Sequence, residues 1–188
     1  MKTEVEIKIK TSKEEFDNIK KILPAFGKFF LATRQVDEYY TPFHRNFFEK
    51  KPFPNEWLRI RTDEGKKSIF EYSTSLDRKK DDDDFYAEEY ETEVSDVEEL
   101  RKILSFLDFK KVIEVNKKRE YWDCNQVEIS LDEVEKLGFF VEVEASGVFE
   151  TIKEARNTCI EFLEKLNIKD LKERIIEEGY PILLLEKG

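Results

Sequence analysis

Six short segments of this chain carry charged side chains at every second position, most of them alternating with apolar ones, and between them they put both signs of charge on the same kind of face. In "EVEIKIK" (4–10), Glu4, Glu6, Lys8 and Lys10 alternate with Val5, Ile7 and Ile9. A strand turns successive side chains to opposite faces, so two acids and two bases share one face and the aliphatic residues share the other. "WLRIR" repeats the design with Arg59 and Arg61, "EYETE" with Glu89, Glu91 and Glu93, and "NKKREY" with Lys117 and Arg119. "VEISLD" does so with Glu128, Ser130 and Asp132, and "FVEVE" with Glu142 and Glu144. One such strand is an ordinary amphipathic element with a solvated side. Six of them suggest a sheet curled around a charged interior and clothed outside by helices, the reverse of small barrels filled with apolar side chains. The simpler reading is a set of exposed salt-bridge ladders, each worth little. The alternation alone leaves both open.

Between these segments lie helix signals. Thr11 or Ser12 can cap a helix in "TSKEEFDNIKKIL", whose Phe16, Ile19, Ile22 and Leu23 make an apolar stripe ended by Pro24 and Gly27. Ser95 or Asp96 can cap "VEELRKILSFL", and "TIKEARNTCIEFLEKL" and "LKERIIEE" read as further helices. "KFFLATRQVDEYY" (28–40) reads as a strand, and "DEGK" joins "WLRIRT" to "KSIFEYSTS" as a hairpin. These elements predict one α+β domain over residues 1–188: a closed or nearly closed antiparallel eight-stranded β-barrel, a tunnel with helices packed outside.

Lys+Arg of 33 against Asp+Glu of 43 gives a net charge of −10, which argues against nonspecific binding to nucleic acid or an anionic membrane. Any anion must then be held by a local concentration of cations. Cys124 and Cys159 lack metal-ligand spacing, and no signal peptide or long apolar run is visible, so a reducing cytoplasm is the expected home. "DRKKDDDD" (77–84) reads as a solvated loop that could form a lid, and the single histidine, His44, as a loop contact.

"EVEIKIK" resembles the E-x-E-x-K signature of the CYTH family, the triphosphate tunnel metalloenzymes, which includes class IV adenylyl cyclases, thiamine triphosphatases and inorganic tripolyphosphatases. "QVDEYY", "WLRIR", "EYETE", "VNKKREYW", "SLDEVEKLGFFVEVE" and "GYPILLLEK" follow in the family's order over nearly the whole chain. The Q-x-D-x-Y-Y stretch and the loop before "LRIR" look most like the class IV adenylyl cyclase branch. The resemblance implies that Glu4, Glu6, Glu142, Glu144 and Asp132 hold Mg²⁺ or Mn²⁺, since hard cations take oxygen ligands. It implies that Lys8, Arg59, Arg61, Lys117 and Arg119 bind the phosphates, and that Asp37, Glu89 and Glu91 orient those cations. Lys8, with its pKa lowered by burial among cations, is the expected general base. The expected ligand is ATP, thiamine triphosphate or tripolyphosphate. Some relatives are dimers, and the phenylalanine-rich loop 42–53 could support a homodimer interface.

Hydrolysis by water and cyclisation of ATP through its ribose 3′-hydroxyl would use the same groups, so the motifs leave the reaction open. One departure bears on both. Where the family's L-T-x-K strand supplies a phosphate-binding lysine, this chain has "FEYS", with Ser73 in the lysine's place and Glu71 two residues before it. A register shift would bring Lys67 inward instead, and Ala87 or Glu88 stands where an arginine usually precedes the acidic strand. Loss of that cation motivates an alternative from another class, a non-catalytic polyphosphate or nucleotide sensor.

Overall fold

A computed structural model of the chain describes residues 5–49, 54–74 and 88–187. Glu4, Ala87 and the "DRKKDDDD" segment lie outside the described residues. The elements run β1 (Glu6–Thr11), α1 (Lys13–Ile22), β2 (Lys28–Pro42), β3 (Glu56–Asp63), β4 (Ser68–Thr74), β5 (Glu88–Val94), α2 (Val97–Phe106) and β6 (Phe109–Asp123). They continue through β7 (Val127–Val134), β8 (Gly138–Ala145), α3 (Ile152–Lys165), α4 (Leu171–Arg174), β9 (Ile175–Ile176) and α5 (Tyr180–Lys187). The α+β class and the antiparallel pairing are as expected. The described strands number nine rather than eight, because the two-residue β9 adds to the outer edge of β1. The chain forms two compact units: one takes its described residues from 34–116 and 178–187, the other from 5–33 and 117–177.

In the first unit β2, β3, β4 and β5 pair in that order, Asp37 opposite Arg61, Arg59 opposite Glu71, and Glu71 opposite Glu91. The β3–β4 turn needs Gly65, whose φ of +77° an L side chain would resist. One face buries Tyr40, Leu58 and Ile60 with Phe47 against Leu104 of α2. Asp96 caps α2, its Oδ1 accepting from the Glu99 amide at 3.0 Å. At the margin of this apolar face Glu38 accepts from Arg101 Nε and Lys111 Nζ, both at 2.8 Å.

In the second unit residues 117–123 of β6 pair with β7, β7 with β8, β8 with β1, and β1 with β9. The aliphatic face of the alternation forms its core: Ile7, Ile9, Val127, Ile129, Leu131, Val141 and Val143 pack against Phe16 and Ile19 of α1 and Cys159, Phe162 and Leu163 of α3. Full burial of each large aliphatic side chain contributes roughly 1.5–3 kcal/mol. Helix α1 begins in a capping box, in which Ser12 Oγ accepts from the Glu15 amide and the Glu15 carboxylate accepts from the Ser12 amide. Arg174 ties the end of α4 to this helix and to β1, donating to Glu15 at 2.8 Å and to the Lys10 carbonyl at 2.9 Å. Gly27 marks a close approach: a Cβ there would overlap the Asp123 carbonyl and Cys124 Sγ at the β6–β7 turn.

Candidate functional site

The cations on the charged face of each unit are largely withdrawn from solvent, and this is where alternation becomes chemistry. In the second unit Glu6 stands opposite Glu144 and Glu144 opposite Glu128, while in the next row Lys8 stands opposite Glu142 and Glu142 opposite Ser130. Three carboxylates from three neighbouring strands therefore share one row. Lys8 Nζ lies 3.4 Å from Glu142 Oε1 and 3.7 Å from Glu6 Oε1. Arg119 donates to both oxygens of the wholly buried Asp132 and to Glu142. Lys117, 3 % exposed, lies 3.8 Å from the same Asp132. The five charged groups Lys8, Lys117, Arg119, Asp132 and Glu142 are all buried and linked through shared partners.

This network corrects one expectation. Burial draws the Lys8 pKa down, but the charges of Glu142 and Glu6 outweigh it and hold the ammonium above its ordinary value. The neighbours of Lys8 that decide its state are acids, so the lowered pKa expected of a general base is not found. Glu6 moves upward as well, through lost hydration on its sheet side and the charges of Glu142 and Glu144, although 41 % of its side chain meets solvent.

In the first unit each arginine has one hydrogen-bonded acid. Arg61 donates to Asp37 through Nε at 2.7 Å and Nη2 at 3.0 Å. Arg59 donates to Glu71 through Nη2, with the Asp37 carboxylate 4.0 Å from its Nη1. Glu71 and Asp37 are buried, and their pairing with Arg59 outweighs burial and keeps that guanidinium well above its usual pKa. Arg59 Nε is buried without a hydrogen-bond partner among the described residues. Tyr39, opposite Arg59, is buried edge-on to Trp57 and Phe48, and burial raises its phenol pKa although Arg59 opposes the shift.

Of the residues picked from the sequence, Asp37, Arg59 and Arg61 come together in the first unit, and Glu6, Lys8, Lys117, Arg119, Asp132, Glu142 and Glu144 line one face of the second. Glu89 and Glu91 stand on β5 opposite Ser73 and Glu71 and pair with no cation among the described residues. Ser73 is buried opposite Trp57. The register alternative for Lys67 fails, because its side chain is 72 % exposed and pairs with Glu93 beside the turn. Tyr39 was not anticipated, yet it shares strand parity with Asp37 and was legible from that spacing. Burial pushes the Cys124 and Cys159 thiols up to about 11 and about 12, so neither is a reactive nucleophile.

The donor set fits a hard divalent cation in kind. The Glu6–Glu144–Glu128 row offers only carboxylate oxygens, and burial together with the charges of Glu142 and Glu144 raises the Glu6 pKa, a repulsion that a cation would relieve. As the side chains stand, no three Asp, Glu, His or Cys groups among the described residues gather closely enough to enclose an ion. No described helix is long and apolar enough to cross a membrane.

Comparison with known proteins places this geometry. Residues 2–175 match the family model described as the CYTH domain. A Methanocaldococcus jannaschii protein, by its name a candidate adenylate cyclase, is 31 % identical over 179 residues, covering 94 % of this chain and 96 % of its own. A solved Pyrococcus horikoshii protein superposes with a TM-score of 0.80 at 30 % identity, covering 98 % of this chain and 99 % of its own. A Hippeastrum protein, a candidate adenylyl cyclase described as having a dominant triphosphatase activity, shares the fold with a TM-score of 0.68 at 14 % identity, covering 100 % of this chain and 97 % of its own.

Proposed function

The chain belongs to the CYTH domain family, and from that premise we propose that it is a divalent-metal-dependent enzyme acting on a triphosphate-bearing small molecule. One observation carries the reading: the cations of its charged faces are largely buried, with Lys8, Lys117 and Arg119 each at most 10 % exposed and Arg59 at 18 %. Burying charges costs several kcal/mol per ion, and apolar replacements commonly match or exceed the stability of such pairs. Solvated ladders would not carry that cost. Cations concentrated in this way also supply what a net charge of −10 denies the molecule as a whole, a positive field for phosphate.

In this reading Arg59, Arg61, Lys8, Lys117 and Arg119 bind phosphate oxygens and stabilise the charge that spreads over them during transfer. Glu6, Glu142 and Glu144, with Glu4, would hold Mg²⁺ or Mn²⁺. When bound, the ion supplies Lewis-acid polarisation of the phosphoryl oxygens. Asp132 fixes the plane of the Arg119 guanidinium and Asp37 that of Arg61, so both forks are positioned before ligand arrives. Hydrolysis is the leading reaction, because water needs no oriented nucleotide. Cyclisation of ATP is the second reading, motivated by the name of the 31 % identical relative.

The deciding experiment incubates the protein with tripolyphosphate, thiamine triphosphate and ATP, with Mg²⁺ or Mn²⁺, and identifies products by mass spectrometry beside a Glu6→Gln control. Orthophosphate from one substrate is the expected result, and cyclic AMP with pyrophosphate would establish the cyclase. Metal-dependent thermal stabilisation by a triphosphate without turnover would make the protein a sensor. No turnover and no stabilisation would overturn the triphosphate reading.

A further inference from the structure

We propose that Glu71 is a built-in competitor for Arg59: a phosphate oxygen that takes the Nη2 donor of this guanidinium must displace a carboxylate already bound there. The proposal rests on the triphosphate reading above and concerns what that site will accept. Arg59 Nη2 donates to Glu71 Oε2, and the two side chains are 18 % and 5 % exposed. The nearby Asp37, held by Arg61 at 2.7 and 3.0 Å, stays 4.0 Å from Arg59, so Glu71 is the acid that hydrogen-bonds this guanidinium. Glu71 therefore holds Arg59 in the manner that a ligand oxygen would. The guanidinium also has its buried Nε, which has no hydrogen-bond partner among the described residues.

Displacement leaves Glu71 badly placed. From β4 it stands directly opposite Glu91 of β5, and Ser73 stands opposite Glu89, so a released carboxylate meets like charge across the strand pair. Repulsion returns it to Arg59 once the ligand leaves. The exchange costs any ligand a charge-assisted hydrogen bond, equivalent to roughly one to two decades of affinity. A small monoanion offers Arg59 little more than Glu71 already does and gains almost nothing from the trade. A polyphosphate anchored on other cations presents its next oxygen at high effective concentration and wins. Glu71 thus selects for chain length as well as lowering affinity.

The test measures binding of tripolyphosphate and orthophosphate by calorimetry at fixed ionic strength and Mg²⁺, for the native chain, Glu71→Gln and Glu71→Asp. The glutamine keeps the shape without the charge, whereas the aspartate keeps the charge but withdraws it by one methylene. Glu71→Gln should tighten tripolyphosphate binding about tenfold or more, and Glu71→Asp by less. In the native chain the Arg59 Nε–H resonance, assigned with Arg59→Lys, should move on addition of tripolyphosphate and stay in place with equimolar orthophosphate. Unchanged or weaker tripolyphosphate binding in both folded variants would overturn the proposal and leave the triphosphate reading standing. Absence of binding by every form would overturn that reading, and the proposal with it. Should Glu71→Gln fail to fold, an unmoved Arg59 resonance at saturating tripolyphosphate overturns the proposal by itself.

Discussion

The two units solve the same electrostatic problem differently. In the first, each arginine has its own acid, Arg61 with Asp37 and Arg59 with Glu71. In the second, the charges are shared: Arg119 serves Asp132 and Glu142, Lys8 serves Glu142 and Glu6, and Lys117 approaches Asp132. Private pairs can be opened one at a time, as an exchangeable ligand contact requires. A shared network resists change at its central members, because Lys8, Arg119, Asp132 and Glu142 each have two partners. The second unit also carries the Glu6–Glu144–Glu128 row, three carboxylates on three neighbouring strands, the kind of all-oxygen donor set that a hard cation takes.

The largest expected effect comes from cutting the network at its most buried member. Asp132→Ala leaves Arg119 and Lys117 without their common acid and should cost about 3–5 kcal/mol in chemical denaturation. Asp37→Ala in the first unit should cost less, about 2–3 kcal/mol, because the Arg61 guanidinium is 19 % exposed and can recover some hydration. Equal losses would break the contrast between shared and private pairing. A double-mutant cycle sharpens it: Asp132 and Arg119 should couple more strongly than Asp37 and Arg61.

A smaller effect separates these faces from the ion cluster on the helix side of the first unit. Burial pushes the Glu38 carboxyl up, but hydrogen bonds from Lys111 and Arg101 outweigh it and hold the pKa below the ordinary 4.5. A depressed folded pKa contributes stability that is present above the unfolded value and lost as pH falls through the folded one. Glu38→Gln should therefore lower stability by about 1.5–3 kcal/mol at neutral pH. That difference should shrink as pH is lowered below the ordinary carboxylate value, and a pH-independent difference would locate the effect in packing. The smallest expected change is metal-linked. Mg²⁺ at ten times its Kd should stabilise the native chain by about 1.4 kcal/mol and Glu6→Gln by less, and equal stabilisation would remove Glu6 from the ion's ligands.

Much of this was legible in the order of residues along the chain. Strand parity alone put Glu6 with Lys8, Arg59 with Arg61, and Glu142 with Glu144, because a period of two admits no other arrangement. Parity does not say which side chain lies opposite. The Lys8 pKa was misjudged for that reason: its state is set by Glu142, far away in sequence and opposite it in register. The partner of Glu71 was hidden in the same way until the β3–β4 register put it against Arg59. Strand β9 went unread because two isoleucines next to a helix signal carry no period, and α5 because "YPILLLEK" matches neither repeat clearly.

Strand β5 has a consequence for the behaviour of the molecule in concentrated solution. Among the described residues it pairs only with β4, so its other edge presents backbone donors and acceptors of the kind that recruit foreign strands. Glu89, Glu91 and Glu93 recur at every second position along it, and Glu91 and Glu93 are exposed. Two such edges approaching each other would bring rows of negative charge together. The same glutamates that leave a displaced Glu71 without a welcome thus act as a guard against fibrous association, one that high ionic strength would weaken by screening.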